Sequence, residues 1–137
     1  MHREHIVLPR ARLPKGMTRL PFSDAVRAGD TLYISGRLGL DPSTGRPPES
    51  VAQEAAFLMD DVRTVVTAAG LTMNDIVMVT IFAPNVADFA AFNEVYVRSF
   101  DGALPARAFI GSGALLFGCR FELTAIAAGA PRTADRA

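Results

Sequence analysis

A helix is predicted over residues 51–69, where apolar side chains recur at alternating steps of four and three and so share one helical face. The residues of this stripe are Val51, Ala55, Leu58, Val62, Val65 and Ala69. Ser50 and Gln53 have the spacing of a capping box at the helix start. Gly70 suits the left-handed position that ends a helix.

A second helix is predicted to begin near Asn85, a capable N-cap residue, and to end near Phe100 before Asp101-Gly102 and Pro105. Its inner side carries Phe89, Phe92, Tyr96 and Ser99.

Five strands are predicted around these helices. Residues 25–28 and 31–35 flank Gly29-Asp30 as a hairpin. The segment 76–83 is rich in β-branched residues, and 106–111 and 120–128 complete the set. The order strand, strand, helix, strand, helix, strand, strand indicates an α+β fold, with one mixed sheet and two helices packed on one face.

The strand 76–83 is apolar on nearly both faces, so it requires cover on both. Two helices cover only one face of a sheet. The other face is therefore expected to meet another subunit in a homo-oligomer.

The chain of 137 residues is long enough for one domain. We expect an irregular basic arm over 1–19, a single domain over 20–129 and a flexible polar tail over 130–137. Fourteen basic residues balance fourteen acidic ones, which argues against nucleic acid as a partner. No apolar run approaches the ~20 residues of a membrane span, and no signal peptide is evident. A cytoplasmic protein without a membrane partner is expected.

Several catalytic chemistries are disfavoured because the residues they need are absent from the predicted domain or occur in it only once. Lys15, His2 and His5 all lie in the arm, and Cys119 is the lone cysteine. A Schiff-base lysine, a histidine base, a catalytic triad and a metal site are therefore not expected. Cys119 is interpreted as a small buried apolar side chain.

Two charged residues lie in otherwise apolar strands. Glu122 could orient or deprotonate a water if it lines an enclosed pocket, or it could face solvent or form a structural pair. Arg107 could bind an anionic ligand with its planar fork, or serve a structural ion pair. The hypothesis places both groups in the same enclosed chamber.

Two further polar residues are weaker candidates. Asn93 lies near the apolar side of the second helix, where it could hydrogen-bond a ligand or fix a loop. Ser35 precedes Gly36 at a strand end, where hydroxyl and backbone groups become available.

These residues occur in an order that resembles the Rid family of reactive-intermediate deaminases, also called RidA or YjgF-type. The resemblance runs from about Leu20 to Ala128, and its specific part is Pro-Ala-Arg at 105–107 followed by Glu122 in the last strand. The supporting stretches are 21–26, 33–36, 40–45, 68–71, 88–96 and 121–127.

The resemblance implies a chorismate-mutase-like homotrimer with ligand sites between subunits. It implies hydrolysis of 2-imino acids or enamines to 2-oxo acids and ammonia, with no cofactor and no metal. Arg107 would bind the substrate carboxylate and Glu122 would orient the water. The positions expected to line or support the site are Phe22, Ser35, Asn93 and Phe109.

The chain also departs from the family pattern. Phe22 stands where a tyrosine is common, and Phe109 replaces a frequently smaller residue. Arg37 and Thr124 stand where glutamine and a second glutamate are common, and residues 115–118 read Leu-Leu-Phe-Gly instead of Leu-Pro-Lys-Gly. These departures concern substrate preference.

Three alternative functions remain open at this point. One is a non-enzymatic trimer that binds small carboxylates at Arg107, or a chaperone-like protein. Another is an endoribonuclease, which the neutral charge balance disfavours. The third is an enzyme acting on an aminomuconate-like enamine, with Arg37 as a second anion receptor.

Overall fold

The computed structural model describes residues 2–10 and 18–131. Within these ranges two α-helices and six strands follow each other along the chain. They are β1 (Arg3–Ile6), β2 (Ala25–Ala28), β3 (Thr31–Leu38), α1 (Val51–Ala68), β4 (Ile76–Ala83), α2 (Phe89–Arg98), β5 (Ala106–Gly111) and β6 (Glu122–Ala128). The strands form one mixed sheet in the order β1-β2-β3-β6-β4-β5. The α+β fold with one sheet and two helices is confirmed.

The first helix begins and ends as its sequence predicts. The Ser50 hydroxyl accepts a hydrogen bond from the Gln53 backbone N–H at 3.2 Å, and Gly70 has φ +78° just beyond the helix. The apolar stripe is buried against the sheet, with Leu58, Val62 and Val65 fully inaccessible.

The second helix is shorter than predicted. Asn85 caps a 3-10 turn over Val86–Asp88 by accepting from the Ala87 backbone N–H at 3.0 Å, and α2 begins only at Phe89. Phe92 and Tyr96 are buried on its inner side, while Phe89 is 45% exposed.

Strand β1 corrects the expectation that the whole arm is irregular. Arg3–Ile6 pairs antiparallel with β2, and Ile6 is buried opposite Ala25. The sequence Arg-Glu-His-Ile has little apolar alternation, so its conformation depends on the free edge of β2. Residues 11–17 of the predicted arm and 132–137 of the predicted tail lie outside the described residues.

One face of the sheet is covered by the two helices, and within residues 2–10 and 18–131 no helix covers the other. On β4, Val79, Ile81 and Ala83 are buried beneath the helices. Met78, Thr80 and Phe82 point to the opposite face, where they are half-buried. We call this second surface the open face. Its apolar side chains are consistent with the expected contact to another subunit.

None of the helices within residues 2–10 and 18–131 is both long enough and apolar enough to cross a bilayer.

Candidate functional site

Strand β5 places Arg107 beneath α2 at the edge of the sheet. Arg107 pairs in parallel with Val79, whose side chain is buried on the helix-covered face, so the two side chains share that face. The guanidinium carbon lies 4.7 Å from the ring centroid of Tyr96, 5.5 Å from that of Phe89 and 5.7 Å from that of Phe109. These distances are typical of cation–π contacts. We call these three rings the aromatic cage.

The cage holds the cation without neutralising it. In the described part of the chain, the guanidinium of Arg107 has neither a carboxylate nor a hydrogen-bond acceptor as a partner. A half-buried arginine with free donors can bind a carboxylate through two parallel hydrogen bonds. Of the two interpretations open at the sequence level, this geometry favours the anion receptor over the structural ion pair.

Helix α2, whose Tyr96 ring contacts Arg107, carries two buried polar atoms without a partner among the described residues. The Oδ1 atom of Asn93 and the hydroxyl of Tyr96, one helical turn later, are inaccessible and have no hydrogen-bond partner among the described residues. Burial raises the pKa of Tyr96 to about 12, against a smaller lowering by the charge of Arg107. The hydroxyl therefore keeps its proton at neutral pH. Both groups are available to a ligand or a water.

Phe109 forms part of the cage wall. It stands edge-on to Phe89 with a centroid distance of 5.0 Å and packs against Phe92 at 5.9 Å. Its ring therefore lies beside the guanidinium, with the centroid 5.7 Å from the guanidinium carbon.

Glu122 lies on the open face of the sheet. It pairs with Phe82 on β4 and with Leu38 on β3. A β-bulge in β3 places Gly36 against this carboxylate, because a Cβ atom built on Gly36 would lie 2.5 Å from Glu122 Oε2. The absence of a side chain at Gly36 therefore creates the space that the carboxylate occupies.

The single chain does not place Arg107 and Glu122 in one chamber. Strand β4 lies between their strands, and the two side chains project from opposite faces of the sheet. The hypothesis placed both groups in the same enclosed chamber at a site between subunits, and within one chain they face apart. Any site that uses both groups must draw them from two copies of the chain.

Ser35 is the neighbour of Gly36 in β3, and Phe22 lines the same cleft as Gly36. The Ser35 hydroxyl donates to the Ser23 carbonyl oxygen at 2.6 Å, which ties β3 to the segment before β2. Phe22 is 49% exposed and lines a cleft of about 680 Å³. Gly36, Leu38, Phe57 and Phe117 also line this cleft.

Arg37 is not available as a second anion receptor. It is 6% exposed and donates to Asp24 at 2.8 Å and to Asp61 at 2.5 Å. Asp24, fully buried, also accepts from Arg10 and from the Leu8 backbone N–H. This network occupies the charges of Arg37, which removes the basis for the dicarboxylate alternative.

Glu54 is a buried residue that the sequence analysis missed. It accepts hydrogen bonds from the backbone N–H groups of Arg120 at 2.7 Å and Phe121 at 3.3 Å, and from the Arg120 guanidinium at 2.8 Å. It therefore anchors α1 to the residues that precede Glu122. Its position one turn before Leu58, in register with the apolar stripe, is a signal that could have identified it.

Cys119 is 2% exposed beside this anchor. Burial raises the pKa of its thiol to about 11, and the charges of Glu54 and Glu122 add to the rise. The interpretation of Cys119 as a buried apolar side chain is confirmed.

Fold and geometry together define an α+β domain with an arginine held by three aromatic rings at one edge of its sheet. Residues 15–129 match the family model described as Endoribonuclease L-PSP, and the chain belongs to this family, the Rid family that the motifs indicated. It is 41% identical over 112 residues to the mouse 2-iminobutanoate/2-iminopropanoate deaminase, covering 81% of this chain and 83% of the relative.

Two solved structures illustrate the likeness in fold. RidA from an Antarctic Psychrobacter superposes with a TM-score of 0.81 at 32% identity, covering 92% of this chain and 99% of that one. TdcF of E. coli, solved with bound serine, gives a TM-score of 0.79 at 31% identity, covering 90% and 98%.

Proposed function

We propose that this protein hydrolyses 2-imino acids, or their enamine tautomers, to 2-oxo acids and ammonia without a cofactor. The observation that carries the proposal is the guanidinium of Arg107, held by three rings and free of any acidic partner in the described residues. The mouse relative, named for the same reaction, supports it.

Substrate binding is assigned to the β5–α2 side. Arg107 holds the substrate carboxylate through two parallel hydrogen bonds, and the cage fixes the plane of the guanidinium. Asn93 Oδ1, which has no partner among the described residues, accepts a hydrogen from the imine or amine nitrogen. Phe109 limits the space beside the carboxylate.

The chemical step is assigned to Glu122 of a second copy of the chain. As a water adds to the imine carbon, the carboxylate takes one of its protons and passes it to the nitrogen, which gives a carbinolamine. The carboxylate then takes the proton of the carbinolamine hydroxyl and passes it to the nitrogen, so the carbon–oxygen double bond forms as the carbon–nitrogen bond breaks, and ammonia and the 2-oxo acid leave. Positioning contributes much, because an imine carbon is already electrophilic.

A homotrimer with its sites between subunits would meet this requirement. The open face supports such an assembly, because its apolar side chains have no cover from the helices of the same chain. Phe22 would border the site from the Glu122 side, and Ser35 would support the strand that carries Gly36.

The test is the release of ammonia from iminopropanoate and iminobutanoate generated in situ by an amino-acid oxidase. Arg107→Ala is expected to lower kcat/KM about a hundredfold or more, because it removes one partner of a desolvated charge pair. Arg98→Ala on the exposed side of α2 is the matched control and should leave the rate unchanged. A rate for Arg107→Ala equal to that of the unmodified protein would reject the assignment.

A non-enzymatic carboxylate-binding protein is the second candidate. The separation of Arg107 from Glu122 within one chain favours it, because the anion-binding arginine then has no acid beside it that could activate a water. Carboxylate binding by calorimetry without faster imine hydrolysis would support this function instead.

The family description also names an endoribonuclease. The equal numbers of acidic and basic residues weigh against a strong RNA site. RNA cleavage that a single substitution abolishes would be the supporting result.

A further inference from the structure

The turn after β5 carries an unusual backbone conformation. Phe117 has φ +60° and Gly118 has φ +71°, and the Cys119 N–H donates to the Leu116 carbonyl oxygen at 3.1 Å. Positive φ at both central residues is the requirement of a type I′ turn, which favours Asn-Gly. A bulky aromatic side chain in this conformation is strained, and such strain clusters at functional sites.

The strained residue presents its ring to the cleft of about 680 Å³. Phe117 is 60% exposed, and Phe22, 49% exposed, lines the same cleft. The volume is within the range of small-molecule sites, roughly 300–1,000 Å³. Two large rings exposed at one concave site leave apolar surface that a ligand can cover.

The charged groups in the cleft wall are largely engaged with one another. Arg37 is bound to Asp24 and Asp61, and Arg10 is bound to Asp24. Asp60 adds a negative charge on α1. Among the described residues that line the cleft, an acidic ligand group would therefore find no free cation, whereas an apolar group would find the rings.

The cleft and the proposed chemical centre meet at Gly36. Gly36 lines the cleft, and the Glu122 carboxylate lies directly against it. A substrate whose reacting carbon is near Glu122 can thus extend its side chain along Gly36 toward the two rings.

We propose that Phe22 and Phe117 form the side-chain subsite of the enzyme, and that its preferred substrates are 2-imino acids with large apolar side chains, branched or aromatic. This inference rests on the proposed function. The strained backbone conformation of Phe117 holds its ring over the cleft, and the strain is the energetic cost of that position.

The experiment compares imines derived from leucine and phenylalanine with the imine derived from alanine. For the unmodified protein, kcat/KM is expected to be higher for the two larger substrates. Phe117→Asn keeps a residue that favours this turn and removes the ring. We expect it to lower kcat/KM for the large imines about tenfold, with little change for the alanine-derived imine.

The control is Leu116→Ala, which alters a neighbouring residue that is 66% exposed and does not line the cleft. It should leave the preference unchanged. An equal loss for all imines in Phe117→Asn, or no loss, would overturn the subsite while leaving the deaminase intact. If the unmodified protein accelerated the hydrolysis of none of the imines above the spontaneous rate, both proposals would be rejected.

A second measurement separates a ligand contact from a contact between copies. The mass of the Phe117→Asn assembly, by light scattering, should equal that of the unmodified protein. Dissociation of the variant would assign the ring to an interface and overturn the subsite. The thermal unfolding temperature of Phe117→Asn should be higher than that of the unmodified protein, because the backbone strain is relieved.

Discussion

Arg107 and Glu122 project from opposite faces of one sheet, with β4 between their strands. A receptor for the substrate carboxylate and a group that activates water are therefore separated within each chain. The proposed reaction requires the receptor of one copy to meet the acid of another.

Mixing two inactive variants tests this arrangement directly. Arg107→Ala and Glu122→Gln should each be inactive alone. Unfolded together at equal amounts and refolded, they should regain about a quarter of the unmodified activity, because random mixing in a symmetric ring gives each site that chance of two intact partners. Mixtures as inactive as the separate variants would place both groups in one chain's site.

The ring of Tyr96 is expected to position Arg107. Tyr96→Leu removes the nearest cage wall and should raise KM about fivefold with little change in kcat. Tyr96→Phe keeps the ring and should restore most of the affinity. Phe100→Leu is a control, since Phe100 contacts the Tyr96 ring at 5.0 Å and makes no cation–π contact with Arg107. Equal KM values for Phe100→Leu and Tyr96→Leu would indicate a packing role only.

Gly36→Ala should damage the reaction more than the fold. Its Cβ would lie 2.5 Å from Glu122 Oε2, and the mobile end of that side chain can move away. Displacing the carboxylate should lower kcat about tenfold to a hundredfold. Thermal unfolding should change little. Gly102→Ala meets no atom within 4 Å and is the control. Normal kcat in Gly36→Ala would argue against a role for the Glu122 position.

Asp24 should make stability depend on pH in the acid range. Burial opposes its charge, but hydrogen bonds from Arg10, Arg37 and the Leu8 N–H outweigh burial and lower its pKa from 3.8 to about 2. The ionised carboxylate thus stabilises the fold above about pH 4, and this contribution, about 2 kcal/mol, is lost as the pH falls toward 2.

Urea unfolding of Asp24→Asn at several pH values measures the effect. The variant should be less stable than the unmodified protein at pH 7, and the difference should shrink between pH 4 and pH 2 as the unmodified protein loses its advantage. Asp60→Asn, at an exposed position on α1, should show no such change. A difference that stays constant with pH would contradict the assignment.

The sequence was sufficient for the features that local periodicity determines. The buried stripe of α1, its cap at Ser50 and the bounds of β5 follow from patterns within single segments. Strand β1 was missed because it forms only against β2, and Glu54 because its partners lie 66 and 67 residues away. The opposed faces of Arg107 and Glu122 depend on strand order and register, which no single segment encodes.

The open face links the assembly of the protein to its activity. A separated protomer would present Phe82 and Met78 to water, where they would invite aggregation, and under the proposed arrangement it would lack a complete reaction centre. Dilution would then dissociate the assembly, which would abolish activity and expose the apolar surface in the same step. A specific activity that decreases as the protein is diluted would be evidence for this link.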